Sequence, residues 1–363
     1  MKIKTPSGSE YPEYLTVLGI MSGTSLDGLD MAYVRFKSIE PEQYEIVHAE
    51  TLPYPAEWEN KLRNAYHYTG QQLAHLHAEY GIYLSKQILS FLNKNRLTAP
   101  DLIASHGQTV FHEPDKHYTL QIGSGAHIAA NTQITTVSDF RTQDVALGGQ
   151  GAPLVPIGDK ILFSDYEYCL NIGGFANISF DDELGNRIAF DTGPANIVLN
   201  YLARKKGFSH DPDGELARSG KLIRSLLNKL NNLPYFHETK PKSLGWEFVE
   251  SQIIPLLEET KHDITDLLHT FTVHIAMQIG KKITRKGRIL ITGGGAYNRF
   301  LVEQIENYGG VPIIIPDKIL IDFKEALIFA LLGLLRFQNK INVLKTVTGA
   351  RKDHSTGIIH YAP

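Results

Sequence analysis

Residues 18–31 read Leu18-Gly19-Ile20-Met21-Ser22-Gly23-Thr24-Ser25-Leu26-Asp27-Gly28-Leu29-Asp30-Met31. This order predicts a β-strand that ends in a turn rich in glycine and hydroxyl side chains and then continues into a second strand. Gly23 and Gly28 would let a ligand approach the backbone closely, and exposed N–H groups in such a turn form an anion site. Asp27 and Asp30 would repel a phosphate unless they held Mg²⁺ or acted as a base. The stretch therefore predicts either a phosphate loop with its metal or a plain Asp-Gly hairpin.

Composition narrows the class of protein. The 363 residues suffice for two domains, and 42% hydrophobic with 21% charged residues is typical of a globular protein. The net charge of −3 and the lack of a long basic block argue against nucleic acid and anionic membranes as partners. Cys169 is the only cysteine, so no intramolecular disulfide forms. The longest apolar run, 326–335, is too short to span a bilayer, and residues 1–14 lack a signal-peptide core. We expect a soluble, cytoplasmic protein.

The chain repeats one arrangement of elements. Strand patterns at 14–21, 30–36 and 44–51 predict an antiparallel meander, and a strong helical pattern follows at 71–93. After the flexible Gly148–Gly151 the order begins again. The predicted elements there are strands at 168–172, 176–180 and 188–191, a helix at 196–206, helices at 221–230, 246–258 and 263–282, and a strand at 288–291. Two halves that both start with strand, turn, strand, strand and helix indicate a duplicated α/β unit.

Several further segments accompany the first. They are Ser105-His106-Gly107-Gln108-Thr109, Ser138-Asp139-Phe140-Arg141, Asn171-Ile172-Gly173-Gly174-Phe175-Ala176-Asn177-Ile178, Asp191-Thr192-Gly193-Pro194-Ala195-Asn196, Gly293-Gly294-Gly295-Ala296 and Thr348-Gly349-Ala350. In this order they resemble the anhydro-N-acetylmuramic acid kinase family, within the acetate and sugar kinase/Hsp70/actin superfamily. The resemblance implies an α/β fold of two ribonuclease-H-like (actin-like ATPase) domains with an interdomain active-site cleft. We expect one domain over 1–141, completed by 337–363, and a second over 142–336.

The resemblance also implies the reaction. In the family's substrate, 1,6-anhydro-N-acetylmuramic acid, C1 and C6 share one oxygen, so no 6-hydroxyl is available for phosphorylation. Water attacks C1 while the bridging oxygen leaves and takes the γ-phosphoryl group of ATP, which gives N-acetylmuramic acid 6-phosphate during cell-wall recycling. Expected cofactors are ATP and Mg²⁺, and a homodimer is implied. A kinase for an ordinary sugar with a free hydroxyl, and an ATP-dependent binding switch without a sugar, stay open as alternatives.

Site residues carried over from the family fall into four groups: the general base, the metal ligands, the nucleotide-binding residues and the sugar-binding residues. Asp191 stands at the general-base position, although a carboxylate ahead of a helix could instead serve the helix dipole. Asp27 and Asp30 are the expected metal ligands. The expected nucleotide-binding residues are Gly23, Thr24, Ser25, Leu26, Asp27, Gly28, Leu29, Asp30, Gly173, Gly174, Asn177, Gly293, Gly294 and Gly295.

The expected sugar-binding residues are His106, Asp139, Arg141 and Glu325. Arg141 is the strongest candidate, because the planar guanidinium fits the carboxylate of the substrate's lactyl group. The alternatives are a structural histidine, a surface salt bridge between Asp139 and Arg141, and a plain helix-surface glutamate.

The sequence departs from the family pattern at three positions. Leu244 and Trp246 stand where we expect Thr and Arg, and Tyr297 stands where we expect His. Loss of a basic residue near the cleft bears on which substrate the protein binds more than on the chemistry of the nucleotide.

Overall fold

A computed structural model describes residues 2–4, 10–23, 26, 28–237, 244–259 and 261–363. The chain forms two compact units: unit 1 comprises Met1–Phe163 and Phe323–Pro363, and unit 2 comprises Ser164–Asp322. These limits differ from the sequence expectation of 141/142 and 336/337. Helix packing explains the difference at both positions, because the helices Val155–Leu162 and Lys318–Phe337 pack against each other.

The strands of the described residues are β1 (Lys2–Lys4), β2 (Glu10–Pro12), β3 (Tyr14–Ser22), β4 (Leu29–Lys37), β5 (Tyr44–Leu52), β6 (Leu102–Ser105), β7 (Gln108–Glu113), β8 (Tyr118–Ile122), β9 (Thr136–Ser138), β10 (Tyr168–Ile172), β11 (Phe175–Asp181), β12 (Arg187–Pro194), β13 (Ile289–Thr292), β14 (Ile313–Ile314) and β15 (Ile358–His360). The helices are α1 (Ala56–Asn64), α2 (Gly70–Lys94), α3 (Gly125–Thr132), α4 (Thr142–Ala146), α5 (Val155–Leu162), α6 (Asn196–Lys205), α7 (Glu215–Ser219), α8 (Arg224–Asn231), α9 (Trp246–Phe248), α10 (Ile254–Glu258), α11 (Ile264–Gly280), α12 (Arg299–Gly309), α13 (Lys318–Phe337) and α14 (Lys345–Thr348).

The main sheets of the two units share one strand order. In unit 1 the order is β15-β9-β6-β3-β4-β5, and in unit 2 it is β12-β11-β10-β13-β14. In each, the first three strands of the repeat form an antiparallel meander, the fourth strand pairs in parallel with the first, and the fifth pairs in parallel with the fourth. This is the ribonuclease-H-like order 3-2-1-4-5, so the predicted duplicated α/β fold is confirmed.

Local sequence signals explain where α2 begins and which face it buries. The side chain of Thr69 accepts a hydrogen bond from the backbone of Gln72, whose own side chain accepts one from Thr69, and this forms a capping box. The apolar stripe predicted over 71–93 includes Leu76, Tyr80 and Ile88, all buried in the core of unit 1. The predicted helix is therefore confirmed to within one residue at each end.

Helix α13 packs directly onto the sheet of unit 1. A Cβ atom on Gly19 of β3 would lie 2.0 Å from the carbonyl oxygen of Ala326, and one on Gly333 would lie 2.5 Å from the Cβ of Ala104. Helix α5 also meets α13, because a Cβ on Gly158 would lie 2.6 Å from Ile328. Both α5 and most of α13 therefore belong to unit 1. The limits of unit 1 consequently lie at Phe163 and Phe323.

One predicted helix of unit 2 is not continuous in the structure. The helix predicted over 246–258 is interrupted, since a π-helical turn at Val249–Ile253 separates α9 from α10. Pro255 lies at the start of α10, where a proline is tolerated but cannot continue a preceding α-helical hydrogen-bond ladder.

Among the described helices, none combines the length and the apolar character needed to cross a membrane.

Candidate active site

The turn after β3 begins with a buried hydroxyl rather than a free donor. Ser22 Oγ lies 2.7 Å from Tyr54 Oη, receives a hydrogen bond from Tyr80 Oη at 3.1 Å, and donates to Gln108 Oε1. The hydroxyl proton of Ser22 is therefore used within this buried network. The backbone N–H of Leu26 donates to Gly23 O at 3.2 Å, with Leu26 in the left-handed region at φ 60°. Three predicted residues of this turn, Thr24, Ser25 and Asp27, lie outside the described residues.

The second half of the turn enters β4 against β5. A Cβ on Gly28 would lie 2.7 Å from Thr51 Cγ2 and 2.9 Å from Leu52 O, so glycine is required here by the neighbouring strand. Leu29 is fully buried and Leu26 nearly so, and both belong to the core of unit 1. Any contact that they make with a nucleotide would come from their backbone. Asp30 accepts a hydrogen bond from Thr51 Oγ1 at 2.6 Å.

His106 and Arg141 are brought together after β6 and β9. Arg141 Nε donates to His106 Nε2 at 2.9 Å, and Arg141 Nη1 donates to Gly151 O at 2.7 Å. His106 Nε2 must therefore carry a lone pair, and the imidazole proton lies on Nδ1. Burial and the Arg141 charge lower the pKa of His106 to about 3, so it stays neutral. The hydrogen bond to His106 fixes one side of the Arg141 guanidinium, whose Nη2 has no hydrogen-bond partner among the described residues.

Arg141 is a partly buried cation opposite an acidic helix residue. Burial lowers its pKa to about 10, while the charges of Glu325 and Asp144 oppose that shift, so the guanidinium stays protonated at neutral pH. Glu325 lies on α13. Desolvation raises the pKa of Glu325, the charges of Arg141 and Lys324 lower it, and the charge of Asp30 raises it. Four of the predicted residues (Asp30, His106, Arg141 and Glu325) thus interact within unit 1.

Asp139 does not form the surface salt bridge considered as its alternative role. Its Oδ1 accepts a hydrogen bond from the backbone N–H of Thr142 at 3.2 Å, and its backbone adopts φ 55°. A non-glycine residue in this region is strained and is common at ligand sites. Asp139 therefore turns the chain between β9 and α4, next to Arg141.

Asp191 lies on strand β12 of unit 2, five residues before α6 begins at Asn196. This position argues against the helix-dipole role. Asp191 Oδ2 accepts a hydrogen bond from the backbone N–H of Leu244 at 2.9 Å, and Asp191 O accepts one from Tyr235 Oη at 2.8 Å. Burial raises the pKa of Asp191 to about 6, and the Leu244 hydrogen bond opposes that shift. Because Leu244 acts through its backbone, its departure from the family pattern leaves this contact intact.

The glycine turn between β10 and β11 leaves room for a ligand. A Cβ on Gly173 or Gly174 would have its nearest neighbour at 3.7 Å, so no crowding within the described residues explains these glycines. The turn is fixed by the backbone, since Ala195 N donates to Gly174 O at 2.8 Å. Asn177 lies on β11 directly opposite Asp191 and is exposed. Asn177 and Asp191 therefore occupy one end of the same strand pair.

The third glycine run is shaped by packing. Gly293 has φ 79°, and its Cβ would lie 2.8 Å from Asn171 Oδ1, while a Cβ on Gly295 would lie 2.2 Å from Ile172 Cγ2. Gly294 between them is open and lines a cavity of about 550 Å³. The cavity lining comprises Asn196, Leu199, Asn200, Ser209, His210, Asp211, Pro212, Asp213, Gly294, Tyr297 and Asn298. Its volume suits a small-molecule ligand.

Most residues of this cavity were missed by the sequence reasoning. The Asp211 carboxylate accepts hydrogen bonds from Leu216 N at 2.8 Å and Ala217 N at 2.9 Å, which fixes the turn at 211–214. Asp213 at φ 54° and Gly214 at φ 76° take left-handed conformations in that turn. The run Asp211-Pro212-Asp213-Gly214 was the available signal, since these residue types favour tight turns.

The side chains of the described residues suit a metal ion that is held mainly by the phosphates of a bound nucleotide. No three His, Cys, Asp or Glu side chains of that part of the chain group together as metal ligands. Mg²⁺ usually keeps several waters and binds one or two carboxylates plus substrate phosphates. Asp30, at the start of β4, can supply one such carboxylate.

Full-length similarity decides the family. A family model described as anhydro-N-acetylmuramic acid kinase matches residues 15–362. The chain belongs to this family. The anhydro-N-acetylmuramic acid kinase of Aliivibrio fischeri is 38% identical, with 95% of this chain and 99% of the relative covered. The enzyme of that name from Francisella tularensis subsp. novicida is 33% identical, with 96% and 99% covered.

The similarity to solved structures is lower. The activator of 2-hydroxyisocaproyl-CoA dehydratase from Clostridium difficile with bound ADPNP has a TM-score of 0.45 at 16% identity, with 88% of this chain and 94% of that chain covered. Hexokinase from Schistosoma mansoni complexed with glucose has a TM-score of 0.38 at 10% identity, with 87% and 84% covered.

The segments that resemble the anhydro-N-acetylmuramic acid kinase family occupy equivalent places in the two units. In unit 1 they follow the carboxyl ends of β3, β6 and β9, and in unit 2 two of them follow β10 and β13. These five strands run parallel within their own sheets. In open α/β sheets, ligands bind outside the carboxyl ends of parallel strands. The topology therefore gathers the motifs at the ligand-binding edge of each sheet.

Proposed function

We propose that this protein is an ATP-dependent anhydro-N-acetylmuramic acid kinase. It opens the 1,6-anhydro ring of 1,6-anhydro-N-acetylmuramic acid with water and phosphorylates O6, which gives N-acetylmuramic acid 6-phosphate. Family membership supports the substrate. The observation that carries the proposal is the Asp191 carboxylate, whose raised pKa of about 6 suits a base at neutral pH.

The bonds made and broken in this reaction define the task of Asp191. Asp191 removes a proton from a water as that water forms a bond to C1. The C1–O6 bond breaks, O6 bonds to the γ-phosphorus, and ADP leaves. The hydrogen bond from Leu244 N holds the Asp191 carboxylate in one orientation. This positioning matters because phosphoryl transfer depends on alignment more than on covalent chemistry by the protein.

Arg141 binds the lactyl carboxylate of the substrate in this proposal. Its Nε and Nη1 are held by His106 and Gly151, which leaves Nη2 for an anion. Charge-assisted hydrogen bonds of this kind are roughly twice as strong as neutral ones. His106, Asp139 and Glu325 complete the sugar site as members of the same cluster around Arg141.

The nucleotide contacts divide between the glycine turns. We assign adenosine to the cavity beside Gly294, and phosphates to the turns at Gly23–Asp30 and Gly173–Gly174 with Asn177. Asp30, with Asp27, would hold Mg²⁺, which would neutralise phosphate charge during transfer. Family membership also favours a cytoplasmic homodimer, and sedimentation of the purified protein tests the oligomeric state.

Mass spectrometry of the product formed in ¹⁸O water tests the function. The substrates are Mg·ATP and 1,6-anhydro-N-acetylmuramic acid, and the reaction is quenched promptly because anomeric oxygens exchange slowly with water. We expect a product heavier than the sugar substrate by one phosphoryl group (HPO₃) and one water, with ¹⁸O at the anomeric carbon. Unlabelled product kept in ¹⁸O water for the same time controls for exchange. Phosphorylation only of sugars with a free hydroxyl would replace the proposed substrate, and absence of ATP consumption with any sugar would favour the binding switch.

A further inference from the structure

The loop that follows Arg141 is built around a buried carboxylate. Asp144 is fully buried on α4, and its Oδ2 accepts a hydrogen bond from Gly151 N at 2.7 Å. Gly151 is also the residue whose carbonyl holds Arg141 Nη1. Asp144 therefore fixes the same loop residue that orients the guanidinium.

A residue near the C-terminus completes this carboxylate site. Thr348 Oγ1 donates to Asp144 Oδ1 at 2.8 Å, and Thr348 O accepts a hydrogen bond from Gln150 N at 2.7 Å. Thr348 is buried and begins the motif Thr348-Gly349-Ala350. The imidazole of His354 lies 3.5 Å from Asp144 Oδ1. Two segments 204 residues apart are thus joined at one carboxylate.

Stability alone does not account for a charged group at this position. A buried carboxylate is costly, and a well-packed neutral residue is often at least as stabilising. The loop also leaves room for the Asp144 carboxylate, because a Cβ on Gly149 would lie 2.2 Å from Asp144 Oδ2. The carboxylate offers acceptors only, which suits the Gly151 N–H and the Thr348 hydroxyl, and its charge attracts the Arg141 cation.

We propose that Asp144 and Thr348 are positioning residues that hold Arg141, through Gly151, in the orientation that binds the carboxylate of the sugar substrate. This inference rests on the proposed function of the Arg141 site. Neither residue needs to touch the substrate. Their effect is on substrate affinity, and it requires the Arg141 side chain.

Steady-state kinetics of matched Thr348 variants test the inference. Thr348→Val removes the hydroxyl with little change of shape, and Thr348→Ser keeps it. We expect Thr348→Val to raise the KM for 1,6-anhydro-N-acetylmuramic acid by roughly 3- to 10-fold while the KM for ATP changes less than about 2-fold. Thr348→Ser should restore the sugar KM. Asp144→Asn should act in the same direction and more strongly.

A second background separates positioning from general structural damage. In Arg141→Ala, the additional Thr348→Val change should leave the sugar KM where Arg141→Ala alone put it, because coupled residues are not additive. An equal rise of both KM values, or the same fold-increase in the Arg141→Ala background, would overturn the inference. If wild-type protein turns over the sugar and Thr348→Val behaves as wild type, only the inference falls. If wild-type protein does not turn it over, the proposed function falls and takes the inference with it.

Discussion

Asp191 differs from an exposed aspartate because it is partly buried on a strand and accepts a hydrogen bond from a backbone N–H 53 residues away. Loss of hydration disfavours its charged form, and this effect exceeds that of the single hydrogen bond. The carboxyl group consequently titrates close to neutral pH. At the residue scale, both the activity and the stability of the protein should depend on this one group.

Replacement of Asp191 by Asn should separate catalysis from nucleotide binding. Asn keeps an oxygen that can accept from Leu244 N but cannot take a proton from water. We expect kcat to fall by about 10²- to 10⁴-fold, while calorimetry gives an unchanged Kd for ADP. Glu183→Gln removes one charge from an exposed turn of the same unit and should leave kcat unaltered. A variant Asp191→Asn with wild-type turnover would remove Asp191 from the role of base.

The pH dependence of activity follows from the same carboxyl group. Only ionised Asp191 can accept a proton, so kcat/KM should be half-maximal near pH 6 and fall about tenfold per pH unit below that value. His106, with a pKa of about 3, adds no second transition between pH 5 and 8. A pH–rate profile with its acidic limb near pH 4 would contradict the assignment.

Ionisation of Asp191 should lower the free energy of unfolding, whereas it raises the activity. Its folded-state pKa is raised to about 6 from the ordinary 3.8, so folding favours the protonated form. The contribution of Asp191 to stability is therefore greatest below about pH 4 and is lost as the pH rises from about 4 to above 6. Asp191→Asn should be more stable than wild type by about 1–3 kcal/mol at pH 8 and equal to it near pH 4. Urea denaturation at both pH values measures the difference.

At the scale of elements, the close packing of α13 on β3 depends on the absence of a side chain at Gly19. The carbonyl of Ala326 occupies the space that a Cβ would need, and backbone cannot move aside as a flexible side chain can. The neighbouring strand β6 meets α13 in the same manner through Gly333 and Ala104. This contact also places Glu325, one residue before Ala326, on the helix that covers the sheet.

Gly19→Ala should therefore destabilise unit 1 severely. We expect a loss of about 1–3 kcal/mol or more in the free energy of unfolding, measured by chemical denaturation. Gly70→Ala is the matched control, because Gly70 is exposed at the first position of α2 and a Cβ there meets nothing within 4 Å. Alanine has the higher helix propensity, so this control should equal or slightly exceed wild-type stability. Equal stability of the two variants would contradict the described packing.

At the scale of the whole molecule, each unit has its own sheet and hydrophobic core. The buried cluster of unit 1 centres on β3 and α2, and that of unit 2 on β10 and α11. The proposed adenosine cavity lies wholly within unit 2, whereas His106, Arg141 and Glu325 lie within unit 1. The two ligands should therefore stabilise different parts of the chain.

Hydrogen exchange can locate these effects. Adenosine at millimolar concentration should slow amide exchange at 196–213 and 293–298 and leave 104–109 and 139–151 unchanged, because bound ligands suppress local opening. The sugar alone should slow exchange at 104–109 and 139–151. Protection by adenosine confined to unit 1 would remove the cavity beside Gly294 from the nucleotide site.

The sequence by itself determined the features that depend on residues close together along the chain. Periodicity and capping gave α2 nearly to its ends, alternating strands and turns gave the duplicated unit, and the ordered motifs gave the family and the candidate base Asp191. The interruption between α9 and α10 was missed because the apolar pattern runs on through the π-helical turn.

Tertiary structure alone decided which distant residues meet. The bond between Arg141 and His106 spans 35 residues, and that between Thr348 and Asp144 spans 204. The cavity beside Gly294 has the same origin, and so does the return of the chain to unit 1 at Phe323 rather than at 337. Local patterns encode backbone conformation, which neighbouring residues control. The pKa of Asp191 and the orientation of Arg141 instead depend on burial and on partners that only the folded chain brings within hydrogen-bonding distance.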